Sequence, residues 1–133
     1  MQERTLVLIK PDAVERNIMG KILNELERNE MTIYEMKFMT ASKSTAEAHY
    51  ANLVDRPFFH EVIDYITRGP LVALIIEGEN AVERVRELVG ETDPKKAAPH
   101  TLRALYGKDK TENSVHASDS KESAEREIAL WFN

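Results

Sequence analysis

The chain has 133 residues, 42% hydrophobic and 31% charged, a mix that suits one globular domain over residues 1–133 with a substantial core. Its 18 Lys and Arg against 23 Asp and Glu leave a net charge of −5, which argues against a general nucleic-acid coat or a binder of anionic membranes. With no cysteine, disulfides, thiol nucleophiles and cysteine metal sites are excluded, and a reducing compartment fits. Any anionic substrate must be gripped by a local cationic cluster working against the overall field. The longest apolar run, Leu71 to Ile76, is far too short for a membrane span. Met1 to Arg4 runs straight into an apolar strand with no signal-peptide pattern, so a cytoplasmic location is expected.

Thr5 to Ile9 is a continuous apolar run and reads as a strand buried on both faces. Pro11 ends it and suits the first turn of a helix. Gly20 to Asn29 has Ile22, Leu23 and Leu26 at helical spacing. Met31 to Met39 alternates, with Tyr34, Met36 and Phe38 opposite Glu35 and Lys37, the pattern of a half-exposed strand. Ser42 to Leu53 reads as a helix capped by Ser44 with Glu47. Phe58 to Ile66 makes another helix after Arg56-Pro57, and Gly69-Pro70 is a turn. Leu71 to Ile76 is a second buried strand, followed by a helix over Ala81 to Val89 that Gly90 ends. Glu91 to Asn113 has two prolines and no sustained period, the mark of a functional loop or an interface. A short strand near Ser114 to His116 and a helix over Ser120 to Phe132, capped by Asp119 and Glu122, complete the chain. This order predicts an α+β fold, a four-stranded antiparallel sheet of ferredoxin-like topology with helices packed on one face.

The usual nucleotide and metal motifs are missing: there is no P-loop, no G-x-G-x-x-G, no H-E-x-x-H and no EF-hand loop. Of the four histidines, His49, His60 and His100 read as surface or packing residues. His116 differs, because Asn113-Ser114-Val115-His116-Ala117-Ser118-Asp119 is a dense polar run between a strand and a helix start, where free N–H groups favour negative charge. Spacing alone leaves that run as readily a helix cap with an incidental histidine. Lys10, Arg86 and Arg103 taken singly are solvated charges, and Tyr50 and Phe58 are core residues or a wall for a planar ligand.

Taken together, the residues resemble the nucleoside diphosphate kinase family. Asn113 to Ser120 is similar to its N-x-x-H-G-S-D motif, and Thr5 to Asp12, His49-Tyr50, Asp55 to Phe59, Gly69-Pro70, Gly90 to Pro94 and Glu122 to Ile128 match in order. The resemblance covers residues 4 to about 132. It implies transfer of the γ-phosphoryl of a nucleoside triphosphate to a nucleoside diphosphate by ping-pong through a phosphohistidine, with broad base specificity. His116 would be the nucleophile, Glu127 would orient it, and Ser118 would bond that carboxylate. Arg86, Arg103 and Thr92 would contact phosphates, and Lys10 and Asn113 the ribose, with Lys10 also near the transferred group. Tyr50 would stand beside the histidine, and Phe58 would stack on the base. Mg²⁺ would be bound mainly through the nucleotide phosphates, with no dedicated protein metal site. A homo-oligomer is implied, a hexamer ahead of a tetramer or dimer.

Three positions depart from the family pattern. Ala117 replaces the usual Gly and would be strained if its φ must be positive. Leu105 stands in place of Asp, and Lys110 in place of an apolar residue on the second face of the base. A sheet-surface RNA binder of the same topology would need aromatics on Thr5 to Ile9 or Leu71 to Ile76 and a basic face, and has neither, so no specific nucleic acid is expected.

Overall fold

A strand with an unbroken buried stretch opens the chain and sets the whole arrangement. Gln2–Ile9 (β1) is buried from Thr5 onward and occupies the middle of the sheet. The computed structural model describes residues 2–109 and 112–132, so the Lys110 departure lies outside the described residues. β1 pairs antiparallel with Leu71–Glu79 (β3), from Gln2 opposite Glu79 to Ile9 opposite Val72. On its other side it pairs antiparallel with Val115–Ala117 (β4). Thr32–Met39 (β2) pairs with the far edge of β3, giving the order β2-β3-β1-β4 of the expected ferredoxin-like sheet.

The helices are Pro11–Glu15 (α1), Met19–Arg28 (α2), Lys43–His49 (α3), Phe59–Thr67 (α4), Ala81–Val89 (α5), Leu102–Tyr106 (α6) and Lys121–Trp131 (α7). They cover both faces, not the one face expected. Because successive strand residues point opposite ways, Val7 and Ile9 join Ile22, Leu26, Val85 and Leu102 in one core. Leu6 and Leu8 join Ala46, Phe59, Ile63, Ile66 and Trp131 in another. The unbroken apolar runs of β1 and β3 require this, since a strand without a polar face has no side to give to water.

Three local readings change, and the side that β2 exposes is settled. β2 turns Tyr34, Met36 and Phe38 outward, at 48%, 57% and 60% exposure, and half-buries Lys37. β2 is an edge strand with a register shift between Ile33 and Glu35, and Lys37 lays its stem inward and donates to the Trp131 carbonyl at 3.0 Å. The helix expected over 42–53 stops at His49 and continues as a 3₁₀ turn, Ala51–Leu53. Its cap is Ser42, which accepts from Thr45 N at 3.1 Å, rather than Ser44; α7 is likewise capped by Ser120, not Asp119 and Glu122. Finally, α6 lies inside the segment read as structureless; one and a half turns are too short to show a period.

Gly90 ends α5 with φ 91°, and a Cβ there would collide with the Thr101 side chain that caps α6. Gly90→Ala is therefore expected to cost about 2–4 kcal/mol of stability, measured by urea unfolding, with the spectrum of the folded state retained.

Candidate active site

β4 is three residues long and is pinned at both ends. Ser114, just before it, has φ 72°, a left-handed conformation that side chains with a Cβ rarely adopt. Its hydroxyl donates to Asp12 Oδ2 at 2.9 Å, and its carbonyl accepts from Lys10 N at 2.8 Å. The Tyr65 phenol donates to the other Asp12 oxygen, so the clamp is itself fixed from α4. Arg103 braces the outer edge: Nε and Nη2 donate to the Val115 carbonyl at 3.1 and 2.9 Å, and Nη1 donates to the Gly90 carbonyl at 3.0 Å. Ala117 sits in extended β4 without a positive φ, so the strain feared there is absent.

Strand alternation turns His116 away from Val115 and Ala117 and into a cleft of about 740 Å³. Its Nε2 lies 2.9 Å from Glu127 Oε1, and Ser118 Oγ donates to the same oxygen at 2.6 Å. Burial alone would raise the Glu127 carboxyl, but the hydrogen bonds from His116 and Ser118 overcome it and take it down to about 2. An ionised carboxylate only accepts, so Nε2 carries the proton and the lone pair is on Nδ1. Burial pushes the His116 imidazole down, and the Lys10 and Arg103 charges add to that against the pull of Glu127. The result near pH 7 is a neutral imidazole with one nitrogen tied and the other nucleophilic.

The expected cations converge on this cleft. Lys10 is 6% exposed and donates to Asn113 Oδ1 at 2.8 Å, while Asn113 Nδ2 donates to the Thr92 carbonyl at 3.0 Å. Burial, reinforced by Arg103, pushes the Lys10 ammonium down to about 7 against the attraction of Asp12 and Asp109. Burial and then Arg86 take the Arg103 guanidinium down to about 10. Cations crowded together in an acidic chain mark a place for an anion.

The aromatics sit at the two depths of the cleft. Phe58 is 41% exposed at the start of α4, and Tyr50 lies deeper, its phenol pushed up by burial and so neutral. Tyr50 packs edge-on against His49, with ring centroids 4.7 Å apart. Every expected residue except Ser118 lines the cleft, and Ser118 is buried behind Glu127. His49 was read as a packing residue, yet it lines the same cleft against His116; its place beside Tyr50 was the available signal. Leu105 is 56% exposed and lies off the cleft.

The lowered Glu127 carboxyl sets a pH dependence. Its folded value of about 2 lies below the 4.5 of the free group, so its stabilisation is complete above pH 4.5 and is lost as pH falls toward 2. Glu127→Gln should be less stable than wild type by about 3 kcal/mol at pH 7. The gap should close between pH 4.5 and 2, read from urea unfolding across that range.

This arrangement has counterparts. The family model described as nucleoside diphosphate kinase matches residues 3–133. The nucleoside diphosphate kinase of Thermobifida fusca is 52% identical over 130 residues, spanning 98% of this chain and 96% of its own. That of Clostridium perfringens is 55% identical over 130 residues, spanning 98% and 91%. Among solved structures, the Aquifex aeolicus nucleoside diphosphate kinase superposes with a TM-score of 0.95 at 42% identity, over 100% of this chain and 96% of that one. A halophilic nucleoside diphosphate kinase from Halobacterium salinarum, in complex with CDP, gives 0.96 at 42% identity over 100% and 89%. Alike in sequence and in backbone over nearly its full length, the chain belongs to the nucleoside diphosphate kinase family, whose members pass a γ-phosphoryl group from a nucleoside triphosphate to a diphosphate through a phosphohistidine.

Proposed function

We propose that His116 is the phosphoryl acceptor of this reaction, and that residues 1–133 form the single domain that carries it out. The observation that carries the reading is the chain Ser118–Glu127–His116, which ties Nε2 and leaves Nδ1 in a cleft with Lys10 and Arg103. Nδ1 attacks the γ-phosphorus, a P–N bond forms, and the P–O bond to the leaving diphosphate breaks with its electron pair staying on that oxygen. Charge that builds on His116 is met by Glu127, already ionised. A second diphosphate then reverses each step. Phosphoryl transfer leaves a protein mainly positioning and neutralisation, which suits Lys10, Arg86, Arg103 and Thr92 around the phosphates. Asn113, oriented by Lys10 and the Thr92 carbonyl, faces the ribose. Phe58 offers a stacking surface indifferent to base identity, which accounts for broad specificity toward nucleoside tri- and diphosphates such as CDP.

The cleft's carboxylates are Asp119 and Glu127, and Glu127 is engaged by His116, so the oxygen-donor set suits Mg²⁺ only when nucleotide phosphates supply most of it. The ion supplies charge neutralisation on those phosphates. The described residues contain no helix long and apolar enough to cross a membrane, and a cytoplasmic location agrees with the cysteine-free composition.

The test is to incubate the protein with ATP labelled at the γ-phosphate and Mg²⁺, then remove nucleotide. Label is expected on His116, lost in acid, kept in base, and discharged by added CDP or GDP. Acid-stable label, or label kept by His116→Ala, sinks the assignment.

Among its exposed large apolar side chains, Tyr34, Met36 and Phe38 stand together on the edge strand β2. An edge strand left both unpaired and apolar invites pairing with another copy. We infer a homo-oligomer, a hexamer ahead of a tetramer or dimer on family grounds. Phe38→Lys should lower the mass seen by light scattering at micromolar concentration without changing the circular dichroism spectrum. A fully active wild-type monomer at that concentration is the contrary result.

A further inference from the structure

One buried polar side chain in the cleft has no part in the steps just given. His49 is the last residue of α3, is 4% exposed, and lies between three rings. Its Nδ1 accepts the indole N–H of Trp131 at 3.1 Å. An indole N–H only donates, so Nδ1 must hold a lone pair, and the single proton of a neutral imidazole is then on Nε2. Trp131 thereby fixes both the tautomer and the plane of the His49 ring. That ring meets His116 edge to face, with centroids 4.6 Å apart and planes at 81°. Trp131 is the only tryptophan in the chain, and it sits one turn beyond Glu127 on α7. One helix therefore supplies both the direct hydrogen bond to His116 and, through His49, the contact on its ring.

His49, His116 and Glu127 offer ligand atoms within 4.8 Å of one another, a spacing that a transition metal could use. The hydrogen bonds argue otherwise. The Nδ1 lone pair of His49 is taken by Trp131, its Nε2 is protonated, and Glu127 already accepts from His116 and Ser118. Burial, and after it the His116 charge, with Lys10 and Arg126 adding and Glu127 opposing, hold the His49 imidazole down to about 3. It stays neutral while its neighbour gains and loses charge.

A single hydrogen bond from Nε2 to Glu127 leaves the His116 ring free to swing about that contact, and Nδ1 would swing with it. We propose that His49, locked by Trp131, is a positioning residue that holds the His116 ring in the plane from which Nδ1 reaches the γ-phosphorus. This rests on the reading of His116 as the phosphoryl acceptor.

The experiment measures the single-turnover rate of His116 phosphorylation by ATP, and its dependence on ATP concentration, in wild type, Trp131→Phe, His49→Asn and the double variant. Trp131→Phe removes the N–H and keeps a ring; His49→Asn keeps an acceptor at the Nδ1 position and removes the ring. A displacement of the nucleophile by an ångström can cost about 100-fold, so His49→Asn should lower the maximal rate by about 10-fold or more, with half-saturation little changed. Trp131→Phe should lower it by a smaller factor, about 3-fold to 10-fold, and should add nothing on top of His49→Asn, because it acts through that ring. ¹⁵N spectra should show one tautomer of His49 in wild type and a mixture in Trp131→Phe, a readout that holds even if His49→Asn does not fold. A maximal rate unchanged in Trp131→Phe, factors that multiply in the double variant, or a His49 tautomer unmoved by Trp131→Phe would overturn the proposal. If wild type takes no label on His116, the underlying reading fails instead.

Discussion

The structure turns on keeping three residues of an edge strand still. Val115–Ala117 is too short to be held by ladder hydrogen bonds alone, yet it carries the imidazole around which the cleft is built. The chain around it is secured from every side: Lys10 N to the Ser114 carbonyl, Arg103 to the Val115 carbonyl, Ser118 N to the Leu6 carbonyl at 3.1 Å, and Glu127 to His116 itself. Arg103 also covers the open edge of the sheet, where an unpaired carbonyl would otherwise face another chain. These restraints come from β1, α6 and α7, which are far apart in sequence and are assembled only when both cores form. The site therefore depends on global folding, and no local segment can present it alone.

Charge is arranged against its own electrostatics. The chain is acidic overall, yet Lys10 and Arg103 are buried within one cleft, where Arg103 disfavours the charge on Lys10 and Arg86 disfavours the charge on Arg103. Such crowding is destabilising in the free protein, and any anion that entered the cleft would relieve it. Glu127 is the counterweight. Its carboxylate accepts two hydrogen bonds on one oxygen and remains charged while buried, so a fixed negative charge stands beside His116 in the free protein.

What could be read from the sequence follows from range. The buried strands β1 and β3, the helix α5 with its terminal Gly90, and the ferredoxin-like order depend on runs and periods within a dozen residues, and these were legible. So was the set of cleft residues, because an ordered string of short motifs carried them. The helix caps were misplaced by two residues at Ser42 and one at Ser120, since neighbouring Ser and Asp residues compete and only the turn's geometry selects between them. The outward apolar side of β2 was not legible, because alternation gives two faces and does not say which is inward. The one-face arrangement failed on a point the sequence did contain: a strand apolar on both sides needs cover on both. His49 was hidden for a different reason. Its meaning comes from Trp131 and His116, respectively 82 and 67 positions away, and no periodicity links them.

The same distinction explains why Ala117 is accommodated. The approach to His116 does contain one strained position, but it is Ser114, two residues before the histidine, with φ 72°. A left-handed residue with a Cβ costs about 1 kcal/mol or more relative to glycine. Ser114 offsets this through its hydroxyl, which donates to Asp12, a buried carboxylate that also accepts from Tyr65. A hydrogen bond to a charged acceptor is worth about 1.5–3 kcal/mol, enough to outweigh the strain. Glycine there would relieve the backbone and forfeit the clamp. Past the histidine the chain is extended, and extended backbone accepts any side chain, so the methyl of Ala117 simply packs into the core beneath β4. The constraint on this loop is therefore placed before His116, where Asp12 and Lys10 can enforce it, and not after it.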